Sequence, residues 1–317
     1  MQLCLNLKEK GVDIISLTET NVHWKRNHII SKFKSLLKKV WPENKITYST
    51  SETTTTWNSD CKPGGTATIS VNKLSSSIIA KSEDPAGMGR WSTLTVLGKN
   101  NKRTTIITMY RPCKVKIENA GITTVVKQQW LIMQKSNRYE HPHEATITDA
   151  IKEIKKFQKD GHEIILLIDG NEAFTNAKGG IAKLCKECKL YDPFSHRHND
   201  QQNSKSYIRG SDKIDFIFCS YNILKAVTSC GMTAFNEMTV SDHCGLFLDI
   251  QKDVVLKDKI IEAISPFSRK LQSNSPKVIR HYKKQLQKQI ERGNVEQRAQ
   301  NIHTIATKRK LTPIEEK

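Results

Sequence analysis

The sequence predicts an α+β fold in which β-sheets pack on each other and helices flank them. Three observations predict it. Seven short apolar runs, rich in Val, Ile and Thr and bounded by Gly, Asn or Asp, read as strands. Helical periodicities separate several of these runs. Two neighbouring runs, 92–97 and 104–109, are joined by a turn-like stretch carrying Gly98, Asn100 and Asn101, which favours an antiparallel hairpin over a pure βαβ repeat.

Taken in order, residues 2–10 carry alternating apolar residues and lead into a strand at 12–17. A helix over 28–40 places Ile30, Phe33, Leu37 and Val40 on one face. The polar segment 43–63, with four consecutive threonines at 53–56, reads as a surface loop. Strands follow at 66–71, 92–97 and 104–109, then helical patterns at 122–135 and 146–158. The latter lines up Ile147, Ile151, Ile154 and Phe157, and Gly161 supplies its stop. A strand at 163–168, a helix at 180–190 and strands at 213–219 and 244–250 complete the pattern. Residues 251–317 differ in character. They hold no strand run, carry a basic helical stretch at 281–292, and have sixteen Lys or Arg against seven Asp or Glu, an excess of nine. The expected division is a core domain over 1–250 and a basic helical tail over 251–317.

Composition narrows the class. With 37% apolar and 26% charged residues, the chain has an ordinary globular composition. No apolar run approaches the ~18 residues that span a bilayer, and residues 1–10 lack the pattern of a signal peptide. The expected location is intracellular. Eight scattered cysteines in so long a chain read as reduced thiols, and the Cys185–Cys188 pair, with no second pair at zinc spacing, reads as two helix residues. The net charge of +19 points to a polyanionic partner. Nucleic acid is the commonest such partner, with an anionic membrane surface as the competitor.

The chemistry-bearing residues fall at strand boundaries. The first strand runs into Glu19. The strand at 104–109 ends on Tyr110, Arg111 and Pro112. The strand at 163–168 ends on Asp169, Gly170 and Asn171. Asp215 lies within a strand, and Ser241, Asp242 and His243 precede the last one. Carboxylate and amide oxygens suit hard Mg²⁺, which keeps waters for a phosphate. A histidine held by a carboxylate suits proton transfer or phosphate stabilisation near neutral pH. A tyrosine and an arginine can orient or neutralise phosphate oxygens.

Together, Glu19, Tyr110-Arg111-Pro112, Asp169-Gly170-Asn171, Ile214-Asp215-Phe216 and Ser241-Asp242-His243 resemble the endonuclease/exonuclease/phosphatase superfamily. Within it they look most like the endonuclease of LINE-type non-LTR retrotransposons, which is related to apurinic/apyrimidinic endonucleases. The resemblance covers about residues 1–250 and includes Gly64-Gly65 before a strand. It implies a four-layer αββα sandwich, dependence on Mg²⁺ or Mn²⁺, DNA as partner, a nuclear location, a monomer, and a reverse transcriptase downstream in an intact element. By the same resemblance Glu19 and Asp242 would be metal-site carboxylates. Asp169 and Asn171 would position or activate the attacking water and hold the phosphate. His243 would contact the phosphate or move a proton, with Asp215 orienting its imidazole. Tyr110 would touch the scissile phosphate or the leaving oxygen, and Arg111 would bind substrate. In the family a strand ending in asparagine comes before the first helix. Here the chain opens within that helix, so that strand and its asparagine are expected to be missing.

Blander readings stand beside these. Asp-Gly-Asn at 169–171 is also turn chemistry. Trp91 reads as a core residue, and His23, His141, His143, His196 and His198 read as surface positions. Three functions stay open at this point: a DNA-nicking phosphodiesterase, a lipid or inositol-phosphate phosphatase with the same catalytic set, and an inactive remnant that only binds nucleic acid.

Overall fold

The structure, a computed structural model, describes residues 2–52, 59–174, 179–198, 204–252 and 275–307. The chain divides into two compact units, Met1–Ile264 and Ser265–Lys317. The four threonines at 53–56 lie outside the described residues.

In the first unit, α1 (Gln2–Glu9) leads into β1 (Ile14–Leu17), followed by α2 (Asn27–Val40), β2 (Asn44–Ser49) and β3 (Thr66–Val71). β1 and β2 both pair antiparallel with β3, giving a three-stranded sheet in the order β1-β3-β2. A five-stranded sheet is built from β4 (Ile78–Glu83), β5 (Trp91–Leu97), β6 (Arg103–Tyr110), β7 (His162–Asp169) and β8 (Asp215–Cys219), in chain order. Only β6 and β7 run parallel, and α3 (Val125–Lys135) and α4 (Pro142–Lys159) form the crossover between them. After α7 (Tyr221–Ala226), β9 (Val227–Met232) and β10 (Leu246–Ile250) make a separate antiparallel pair.

The layers follow from which faces are apolar. The amphipathic α2 sets Leu37 and Val40, with Trp41 just beyond it, on Ile15, Ile46, Ile69 and Val71 of the small sheet. On the far side, α4 and α5 (Gly180–Cys188) cover the large sheet through Ile147, Ile151, Ile154, Ile181 and Leu184. The two sheets pack face to face between these helices, giving the αββα sandwich. Their shared layer is partly polar. Thr68 bonds Ser92 and Thr108 (2.8 Å to the latter), and Ser16 bonds Thr108 at 2.7 Å. These buried or half-buried hydroxyls therefore satisfy one another, as burial demands. The second unit contains α8 (Pro276–Arg292) and α9 (Val295–Ala306); the expected helix at 281–292 lies inside the first of these.

Several elements differ from expectation. Residues 44–49, expected in a loop, form β2, because Thr47 and Ser49 bury their hydroxyl-bearing side chains against the other sheet. β4 and β9 were not expected either. His143 is buried, not superficial, with its Nδ1 bonded to the Pro112 carbonyl at 2.7 Å. His196 and His198 sit on a short helix, α6 (Pro193–His198), and His198 reaches the Cys230 carbonyl at 3.0 Å. Trp91 lies in the core beneath α4 and α5. Cys185 and Cys188 are both buried, and burial pushes the Cys188 thiol up to about 11. No helix among the described residues is long and apolar enough to cross a membrane.

Candidate active site

Strand register assembles the site. Tyr110 at the end of β6 lies beside Asp169 at the end of β7, and Asp169 lies opposite Asp215 at the start of β8. A phenol and two carboxyls thus form one row across three adjacent strands, and all three residues are buried. His243, just before β10, closes over this row. Its Nδ1 bonds the Asp215 carboxylate at 2.8 Å.

Asp215 is fixed in turn. Ser206 Oγ accepts the backbone N–H groups of Ile214 and Asp215 at 2.9 and 3.1 Å. Tyr207 packs its ring on the His243 imidazole, with centroids 5.0 Å apart. Asn171, two residues after Asp169, holds a left-handed backbone (φ 46°). Its amide donates to the Arg111 carbonyl at 2.8 Å and accepts from Cys113 Sγ at 3.1 Å. Neither Tyr207 nor Cys113 carries a sequence signal that separates it from ordinary loop residues.

Glu19 enters from the other sheet. Its backbone is also left-handed, with φ 44°. Such conformations cost a non-glycine residue energy and tend to persist where neighbours impose them. Here the imposing neighbours are Gly64 and Gly65, whose carbonyls accept the N–H groups of Asn21 (2.9 Å) and Thr20 (3.2 Å). A Cβ at Gly65 would stand 2.9 Å from the Ser49 carbonyl oxygen, so only glycine permits this docking. The Glu19 carboxylate lies close enough to the Tyr110 hydroxyl for its charge to act on it. Burial, and then the Glu19 charge, keep that phenol protonated.

Charge in the row is strongly interdependent. Burial first, and Asp215 second, push the Asp169 carboxyl well above the usual carboxylate range. The Asp215 hydrogen bond lifts the His243 imidazole to about 9, against the opposing effect of burial, so the ring is cationic at neutral pH. Ligand atoms of Asp169, Asp215 and His243 all lie within 4.8 Å of one another. Two buried carboxyls facing a single cationic ring, with the exposed Glu19 carboxylate close enough to raise Asp169 further, form an oxygen-rich donor set of the kind hard divalent cations take. The residues present fit such an ion.

One residue expected in the site takes another position, and a second lies at the surface beside His243. Arg111 is fully buried, with its guanidinium bonded to Glu172 at 2.6 Å and to the His143 carbonyl at 2.9 Å. It therefore braces α4 and the 170–172 turn from within and presents no face to solvent. Asp242 is exposed and influences the imidazole only as the weakest of several charges.

An αββα sandwich with this row at one end of its strands defines the endonuclease/exonuclease/phosphatase fold, and the chain has that fold. Solved structures similar to it include apurinic/apyrimidinic-endonuclease-like proteins. The catalytic domain of Xenopus laevis APE2 matches with a TM-score of 0.54 and 16% identity, over 79% of this chain and 88% of that one. The AP endonuclease LMAP from Leishmania major matches with a TM-score of 0.53 and 12% identity, over 79% and 81%. The 3'-5' exonuclease NExo from Neisseria meningitidis matches with a TM-score of 0.53 and 14% identity, over 79% and 93%. No protein-family model matches the sequence, and no curated protein matches it.

Proposed function

We propose that this chain is a divalent-metal-dependent phosphodiester hydrolase that nicks DNA, an endonuclease of the non-LTR retrotransposon kind. The observation that carries the reading is the row Tyr110, Asp169, Asp215 with His243 hydrogen-bonded to Asp215. Two of the similar structures are named as an AP endonuclease and a 3'-5' exonuclease. The net charge of +19 favours DNA over an inositol or lipid phosphate. The retrotransposon assignment, with a reverse transcriptase as partner, a nuclear location and a monomeric state, is supported by the order of the five motifs.

Each residue has a chemical task in this reading. Asp215 occupies His243 Nδ1, which leaves Nε2 to donate to a non-bridging phosphate oxygen. A cationic ring there stabilises the charge that grows in the pentacoordinate transition state. Asp169, whose carboxyl is pushed upward, accepts a proton from the attacking water more readily than an ordinary aspartate does. Asn171, held rigidly by Arg111 and Cys113, orients that water or the phosphate. Tyr110, protonated, donates toward the leaving oxygen. Glu19 ligates Mg²⁺ or Mn²⁺, and Asp242 adds a carboxylate at the rim. The ion, when bound, polarises the phosphate and stabilises the departing oxygen. The basic tail, 251–317, adds phosphate contacts without reading sequence.

One observation favours a second reading, in which the chain binds nucleic acid without cutting it. β1 is an edge strand, and Glu19 just beyond it is exposed. Incubating supercoiled plasmid with the whole chain and Mg²⁺ separates the two. The hydrolase reading expects conversion to nicked circles. Retarded but intact supercoils would support the binding-only reading.

A further inference from the structure

A groove of about 730 Å³ opens at the lateral edge of the sandwich, between α2, β2 and β4. Ser31, Lys34, Ser35 and Lys38 fall at helical i, i+3, i+4 and i+7 spacing, so they form one stripe along its α2 wall. Lys39 adds to that wall, and Lys45 and Lys81 supply the other. The floor is stitched across the two sheets. Lys45 Nζ donates to the Ile78 carbonyl at 2.8 Å, and Lys81 Nζ donates to the Ile46 carbonyl at 3.2 Å.

No carboxylate lines the groove. Among the described residues, none of these five lysines forms an ion pair; Lys45 and Lys81 meet only backbone carbonyls. Lys34 and Lys38, one turn apart, repel each other along the helix. Burial chiefly, then Lys45 and Lys34, hold the Lys81 ammonium below its usual range. Five cations confined in one concavity without counter-charge raise the free energy of the unliganded protein, and a polyanion lying in the groove would relieve it.

We propose that this groove is a second nucleic-acid contact, one that grips the sugar–phosphate backbone away from the catalytic row. Alternating hydroxyl and ammonium donors match a line of phosphate oxygens, which accept from serine and lysine alike. The groove lies toward the opposite strand ends from the site. Asn44 and Lys45 stand at the start of β2, and Lys81 lies beside Leu94 and so beside Ile106, roughly 13 Å along β6 from Tyr110. A membrane surface fits less well, because the only apolar lining residue, Ile46, is buried and offers no side chain to insert into lipid. The proposal is independent of whether the chain cuts what it binds.

The test is binding of a 40-base-pair duplex by anisotropy across a salt series, comparing the wild type with Lys34→Gln/Lys38→Gln/Lys39→Gln. These side chains are exposed on α2, and glutamine keeps the helix propensity. If each lysine meets one phosphate, the slope of log K against log salt becomes shallower by about 2.7, and affinity at low salt falls on the order of 10-fold or more. Lys81→Gln, on the opposite wall, should shift the slope in the same direction by about 0.9. Replacing the three helix lysines by arginine should restore the wild-type slope. An unchanged slope in both glutamine variants would overturn the proposal. So would loss of binding to phosphatidylserine vesicles with duplex binding intact. Absence of nicking by the wild type would leave this result standing.

Discussion

His243→Ala is expected to lose plasmid nicking by on the order of 10³-fold while still binding DNA and melting within a few degrees of the wild type. The imidazole sits at the rim of the row, and its bond to Asp215 is its one strong tie, so the fold does not depend on it. The proposed transition state does. Asp215→Asn should fall between the two proteins, because the ring remains but loses the carboxylate that fixes its tautomer and keeps it cationic. Equal losses in both variants, accompanied by equal falls in melting temperature, would mean that the pair supports the fold and not the chemistry.

Asp169→Asn should separate activity from stability in opposite directions. Nicking should fall by on the order of 10³-fold or more, because the amide cannot accept the proton of the attacking water. The metal-free protein should nevertheless gain stability at neutral pH. Burial and the neighbouring Asp215 raise the Asp169 carboxyl above its unfolded value. A group raised in this way favours the folded state at pH values below its unfolded pKa, and that contribution is lost as pH rises through the folded value. At pH 7 holding this carboxyl buried beside Asp215 is therefore a burden, and the isosteric amide removes it. The gain should be on the order of 1 kcal/mol, shrinking toward pH 4, and thermal melts over that range measure it.

Much of the architecture was legible because burial leaves a periodic trace. β3 runs through the centre of the small sheet with every residue buried, and the apolar run at 66–71 marks its full length. The face of α4 was visible in Ile147, Ile151 and Ile154. β2 was not, because what it buries is partly hydroxyl: Thr47 and Ser49 look like loop residues until the opposite sheet supplies their surroundings. β4 was missed for the opposite reason, since it is an edge strand exposed after Ile78 and carries no alternation to read.

The site divides along the same line. Residues at strand ends advertise themselves, because a carboxylate at the edge of an apolar run needs an explanation: Glu19 and Asp169 follow one, and Asp215 opens one. Closeness between distant segments leaves no such mark. Nothing local to Tyr207 says that its ring lies on His243, and nothing in Arg111-Pro112 says that the guanidinium turns inward to Glu172 instead of outward to solvent. Only the packing of α4 against the 170–172 turn decides that.

The most direct measurement of the central claim is plasmid nicking by the wild-type chain as the divalent ion is removed and returned, with melting temperature followed in parallel. The hydrolase account predicts nicking in Mg²⁺, none in excess EDTA, and recovery when Mg²⁺ or Mn²⁺ is added back. It also predicts a melting temperature that rises with Mg²⁺ in the wild type, as binding to the folded state requires, and a smaller rise in Asp169→Asn. Full nicking in EDTA, or a melting temperature indifferent to Mg²⁺ in a protein that leaves supercoiled DNA uncut, would contradict it.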